Sequence, residues 1–132
     1  KIIMKNNVIK LIKYLYYFSL IALFILYLFP GSLIGYFMYG NLNKQPNLID
    51  SQIGSSINHF FYFFFLTSLA AIVNFKKKKL NIYFFYILIL SVFLEALHYI
   101  IPGRAFQFYD LLANVMGVLI VFFIIKIIKI IK

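Results

Sequence analysis

The sequence predicts an all-α membrane protein, a bundle of four transmembrane helices with both termini on the cytoplasmic side. Three observations carry this expectation. Of 132 residues, 64% are hydrophobic and only 12% are charged, too little polar surface for a water-soluble domain of this size. Four apolar runs each approach the roughly 20 residues that a helix needs to cross a bilayer. Basic residues gather at alternate connections between those runs. The chain reads as one domain over residues 1–132, with no internal repeat.

The first run, residues 11–29, ends at Pro30-Gly31, a helix-stopping pair. A cleaved signal peptide would show a shorter apolar core followed by small residues, and neither is present. Because the chain opens on Lys rather than Met, residues are expected upstream, or a start at Met4. The connection 31–56 is long for a membrane hairpin. It is apolar from Leu33 to Tyr39 and is expected to lie along the outer surface. The second run, 57–75, is stopped by four lysines, 76–79. The third, 80–101, is stopped by Pro102-Gly103. The fourth begins near Asp110, runs to about residue 125, and is expected to fray into the repeat Lys126-Ile-Ile-Lys129-Ile-Ile-Lys132.

The formal charge of +10 invites a nucleic-acid reading, which the placement of charge removes. Four lysines stand at the N-terminus (Lys1, Lys5, Lys10 and Lys13), four follow the second run and three follow the fourth. The other two connections hold only Lys44 and Arg104. Basic residues mark the cytoplasmic side, so this asymmetry puts both ends and the middle loop inside. The lysines then meet anionic lipid, and no nucleic-acid partner is expected. Tyr14, Tyr16, Tyr17, Tyr83 and Tyr86 near the inner ends, and Tyr36, Tyr39, Tyr99 and Tyr109 near the outer ends, suit interfacial anchoring.

The conventional proton carriers and metal ligands are few: no cysteine, two histidines and three carboxylates. No metal-ligand spacing, phosphate-cradling glycine loop or serine elbow is present, so no cofactor and no metal is expected. Asp50, His59, Glu95, His98, Arg104 and Asp110 nevertheless all fall in the outer half. Glu95, six residues before Ile101, is expected ~9 Å below the end of its helix at 1.5 Å per residue. An ionisable group there costs a few kcal/mol or more unless partnered, and such groups face the bundle interior. His98 shares its face at i+3. Asp110 and Asn114 stand at i and i+4, and Gly117 extends that face, permitting close backbone approach. Asp110 also resembles an N-cap. Arg104, between Glu95 and Asp110, is expected to bridge carboxylates or take a phosphate in a fork. His59 opens the second helix at the same level. These residues constitute either a ligand site or a structural staple.

The stretch Glu95-Ala-Leu-His98, Pro102-Gly-Arg104 and Asp110-x-x-x-Asn114-x-x-Gly117 resembles the VanZ-like family of small bacterial membrane proteins. Asn58-His59-Phe60 resembles that family's His-Phe at the head of its second helix, and Pro30 a proline that commonly ends its first. The chain departs from the pattern at Ser55-Ser56, where the family often carries Asp-Lys, and at His98, where it carries Gln. The resemblance implies a bacterial inner-membrane protein of the cell envelope, and the family's named member is associated with resistance to the lipid-bearing glycopeptide teicoplanin. The leading functional expectation is binding: the outer cluster would recognise a lipid headgroup, a cell-wall precursor or a lipoglycopeptide. One alternative is an accessory subunit of a larger membrane complex, with the motif purely structural. Another is an enzyme acting on a lipid headgroup, with Glu95 and His98 as acid and base; catalysis is the less expected.

Overall fold

The computed structural model describes residues 2–46, 54–75 and 80–131, with side chains from residue 6 onward. Asp50 and the four lysines 76–79 lie outside the described residues. Among the described residues five helices follow one another: α1 (Ile2–Leu28), α2 (Leu33–Tyr39), α3 (Gly54–Asn74), α4 (Leu80–Leu97) and α5 (Phe108–Ile131). Four of them, α1 from Asn6, α3, α4 and α5, are long and apolar enough to cross a membrane. The protein is a multi-pass membrane protein.

Packing is inverted relative to a water-soluble bundle. Large apolar side chains such as Phe18, Ile21, Phe85, Phe93 and Phe123 face outward, whereas Ser91, Glu95, Asn114 and Thr67 are buried beside Leu23, Phe63, Leu66, Leu94 and Val118. Lipid tails solvate the outer rings as well as a protein core would, so helix association rests on close packing and interhelical hydrogen bonds. The helices alternate in direction, leaving α3 and α5 parallel. They form the closest pair of the bundle, with Gly117 of α5 set against the α3 backbone. A Cβ at Gly117 would fall 2.6 Å from the Phe60 carbonyl oxygen and 2.9 Å from the Phe64 nitrogen.

Three departures from expectation have local reasons. The last helix does not fray at residue 125 but runs to Ile131. Its terminal lysines favour the negative end of the helix dipole, and two lie over rings, Lys126 over Phe122 at 5.3 Å and Lys129 over Phe75 at 5.4 Å. Helix α4 ends at Leu97 rather than residue 101. Pro102 has no N–H for the His98 carbonyl and disfavours helix in the residue before it. The chain there tightens into i→i+3 turns, with His98, Tyr99 and Ile100 nitrogens donating to the Glu95, Ala96 and Leu97 carbonyls. Glu95 therefore sits in the last helical turn, about 3 Å of helix rise from its end, shallower than the sequence implied. Finally, the apolar part of the first connection forms α2, capped by the Ser32 hydroxyl accepting from the Gly35 nitrogen at 3.0 Å and closed by Gly40.

Candidate functional site

The polar end of the bundle is organised by its two Pro-Gly stops. The Leu26 carbonyl would ordinarily accept from residue 30, but Pro30 has no N–H to give. Arg104 replaces the missing donor: its Nη2 donates to the Leu26 carbonyl and its Nε to the Phe29 carbonyl at 3.3 Å. A cation at a helix C-terminus is also favoured by the dipole. The turns touch directly. Gly31 and Gly103 both have positive φ, +79° and +71°, and a Cβ on Gly103 would meet the Gly31 nitrogen at 3.2 Å. This corrects the expectation that Arg104 bridges Glu95 and Asp110. Among the described residues it makes no ion pair, because unsatisfied carbonyls closer to its backbone take its donors. Burial pulls the Arg104 pKa below its ordinary value, with Tyr27, Glu95 and Asp110 opposing the shift; a guanidinium stays charged regardless.

Pinning the 102–107 loop over the end of α4 encloses Glu95. Its Oε1 accepts from the Gln107 backbone N–H at 3.2 Å and faces His98 Nδ1 at 3.3 Å, while its side chain is 0% exposed. Helix α5 starts at Phe108, so Asp110 stands in its first turn rather than at the N-cap, the corresponding first helical bond running from Leu111 to the Gln107 carbonyl. The Asp110 carboxylate turns toward α3: Oδ1 accepts from the Ser56 hydroxyl at 2.5 Å, and Oδ2 lies 3.6 Å from His59 Nε2. His59 Nδ1 lies 3.9 Å from Glu95 Oε2. Three separate sequence neighbourhoods thus meet, with His59, Glu95, His98, Asp110 and Asn114 brought together. Gly117 sits one turn deeper as a packing contact, and Arg104 stands to one side on α1.

The sequence reading missed the residue that ties these parts together. Tyr27 Oη contacts His59 Nδ1 at 2.7 Å and donates to Asn114 Oδ1 at 2.9 Å; its ring stacks on His98 at 5.2 Å between centroids. A tyrosine one turn before a helix-ending proline is hard to tell from an interfacial anchor in a chain with 11 tyrosines. Ser56 was noted only as a departure from a charged pair, yet its hydroxyl holds Asp110. Asn114 completes the chain of contacts, with its Nδ2 facing the Ser91 carbonyl at 3.5 Å.

Beside this cluster a small cleft of about 100 Å³ opens between α1, α2 and α3. Its polar lining includes Tyr27, Asn58, His59, His98 and Arg104, against walls that include Leu23, Leu26, Leu33 and Ile34. Two buried polar atoms of this lining, His98 Nε2 and Asn58 Oδ1, have no hydrogen-bond partner among the described residues. Through Ile34, Pro46, Asn58 and Tyr62 the cleft continues into an apolar groove floored by Met38, Phe61 and Phe65.

No curated protein and no solved structure matches the chain. The family model described as VanZ/LLP1 matches residues 14–129, which take in every residue of the cluster, the whole of α3 and α4 and most of α1 and α5; the chain belongs to the VanZ/LLP1 family.

Proposed function

We propose that this is an inner-membrane protein of the bacterial envelope, with both termini inside, that binds an anionic amphiphile at its outer end. The observation that carries the reading is the continuity of the polar cleft with the apolar groove. Arg104 spends two of its five N–H groups on α1 carbonyls, leaving the others for an anionic group. His98 Nε2 and Asn58 Oδ1 stand as acceptors for hydroxyl or amide N–H groups of the same headgroup. The groove past Phe61 and Phe65 suits an acyl chain lying along the lipid-facing wall. A lipid headgroup, a lipid-linked wall precursor and a lipoglycopeptide share this combination of anion, polar donors and tail. The role is binding rather than catalysis, and His59, Glu95, Asp110, Asn114 and Gly117 form the frame that holds the cleft open.

The test uses the full chain in nanodiscs of equal phosphatidylglycerol and phosphatidylcholine, with retained lipid read by native mass spectrometry after transfer to detergent. Wild type is expected to keep phosphatidylglycerol selectively. Arg104→Lys preserves net charge but loses the planar fork, and Asn58→Ala removes an acceptor; each should reduce retention several-fold. Equal retention by wild type and both variants would leave only non-specific binding at the lysines, and the accessory-subunit reading would take its place.

A further inference from the structure

Three side chains of the cluster are each held at one atom and bare at another. The Asn114 amide directs its Nδ2 toward the Ser91 carbonyl, so its Oδ1 is the acceptor and the Tyr27 hydroxyl must donate to it. With its own proton spent, Tyr27 Oη can only accept from His59, which places the imidazole proton on Nδ1. His59 Nε2 is then a bare lone pair, and the atom opposite it at 3.6 Å is Asp110 Oδ2. Asp110 has its other oxygen fixed by Ser56. Glu95 repeats the pattern: Oε1 is held by Gln107 and His98, while the fully buried Oε2 has no hydrogen-bond donor among the described residues. From one ligand atom each, His59, Glu95 and Asp110 lie within 4.8 Å of one another. His59 Nε2 and Asp110 Oδ2 repel unless a cation stands between them, and Glu95 Oε2 lies 3.9 Å from His59 Nδ1, too far for that N–H to satisfy it.

We infer that His59, Glu95 and Asp110 form a binding site for a divalent transition-metal ion. One imidazole and two carboxylates suit zinc or manganese better than magnesium or calcium, which prefer oxygen alone. Metal–ligand bonds of about 2.0–2.2 Å set ligand atoms roughly 3–4 Å apart, close to the 3.6 Å separation of His59 and Asp110. The surrounding bonds are those a metal site requires to orient its ligands: Tyr27 on the far nitrogen of His59, Ser56 on the far oxygen of Asp110, and Gln107 and His98 on the far oxygen of Glu95. His59 lines the cleft and gives the ion a path from solvent. Three protein ligands leave coordination positions open on the cleft side. Sequence spacing concealed the set, because positions 59, 95 and 110 share no local motif.

The test titrates the full, untagged chain in detergent with Co²⁺ alone, following its visible absorption, and with Mn²⁺ alone, following the loss of free-ion resonance signal. Wild type is expected to bind one ion per chain, and Zn²⁺ should displace it. Asp110→Asn, which keeps the Ser56 contact but lacks the charge, and His59→Gln should each weaken binding by about tenfold or more. Tyr27→Phe, which frees the His59 tautomer without touching the ion, should weaken it less. Absence of stoichiometric binding by folded wild type would overturn the site, with the His59–Asp110 contact then an imidazolium–carboxylate pair visible as two ring protons by ¹⁵N resonance. Undiminished binding by folded Asp110→Asn would equally overturn it, locating the ion elsewhere. The readout involves no amphiphile, so it succeeds or fails independently of lipid retention.

Discussion

The two ends of the bundle handle charge in opposite ways. At the lysine end the described cations project outward from the helix surfaces on long stems. Lys13, Lys126 and Lys129 lie over aromatic rings 5.3–6.0 Å away. At the Pro-Gly end the ionisable groups point inward: Glu95, His98 and Asp110 are buried, and Arg104 is turned onto backbone carbonyls. Exposed charge on long side chains is worth little to stability, whereas buried charge must be satisfied by fixed partners. The first end can therefore set orientation and tolerate substitution. The second must be built to fine tolerance, and a binding site requires that same fixed geometry.

Gly117→Leu is the largest expected disruption of this contrast. Even a Cβ at that position meets α3 backbone rather than a movable side chain, so α5 must be displaced from α3, at a cost of about 3 kcal/mol or more. Folded yield in detergent should collapse; normal yield with an unshifted thermal midpoint would show that the polar end is not closely packed. Tyr27→Phe comes next. It leaves packing intact but strands His59 Nδ1–H and Asn114 Oδ1 without their shared partner, a loss of about 1–3 kcal/mol measurable as a lower melting midpoint by circular dichroism. A neutral result would mean that the cluster is looser than its contacts suggest. The smallest effect is expected at the other end. The chain has no cysteine, so Lys129→Cys and Lys44→Cys each introduce a single thiol. Lys129→Cys gives up one cation–ring contact, about 1 kcal/mol or less. In intact cells an impermeant maleimide should label Lys44→Cys and spare Lys129→Cys; the reverse pattern would invert the orientation and move the cluster to the cytoplasmic face.

Much of this molecule is legible in order along the chain. Apolar length gives the spans, and Pro30 and Pro102 give the ends of α1 and α4 to within a few residues. The polar positions Glu95, His98, Asp110, Asn114 and Gly117 stand out because little else in those runs is polar. Arg104 was legible as important and misread in role. Its proximity in sequence to Glu95 and Asp110 suggested an ion pair, while the carbonyls it serves belong to residues 26 and 29, more than 70 positions away. Tyr27 escaped for the same reason: its partners are His59 and Asn114, and nothing within its own helix distinguishes it from ten other tyrosines.

The sequence by itself determined the number of spanning helices, the Pro-Gly stops that end α1 and α4 and the class of residue gathered at one end. Those properties depend on local sums, namely hydropathy over about 20 residues and the missing N–H of proline. Tertiary structure alone decided which polar atoms face which. It handed Arg104 to α1, linked Tyr27 to two other helices and set His59, Glu95 and Asp110 around one point. The physical reason is that hydrogen bonds and charge contacts fall off within a few ångströms, and only the parallel packing of α3 on α5 and the docking of the 102–107 loop bring such distant positions that close.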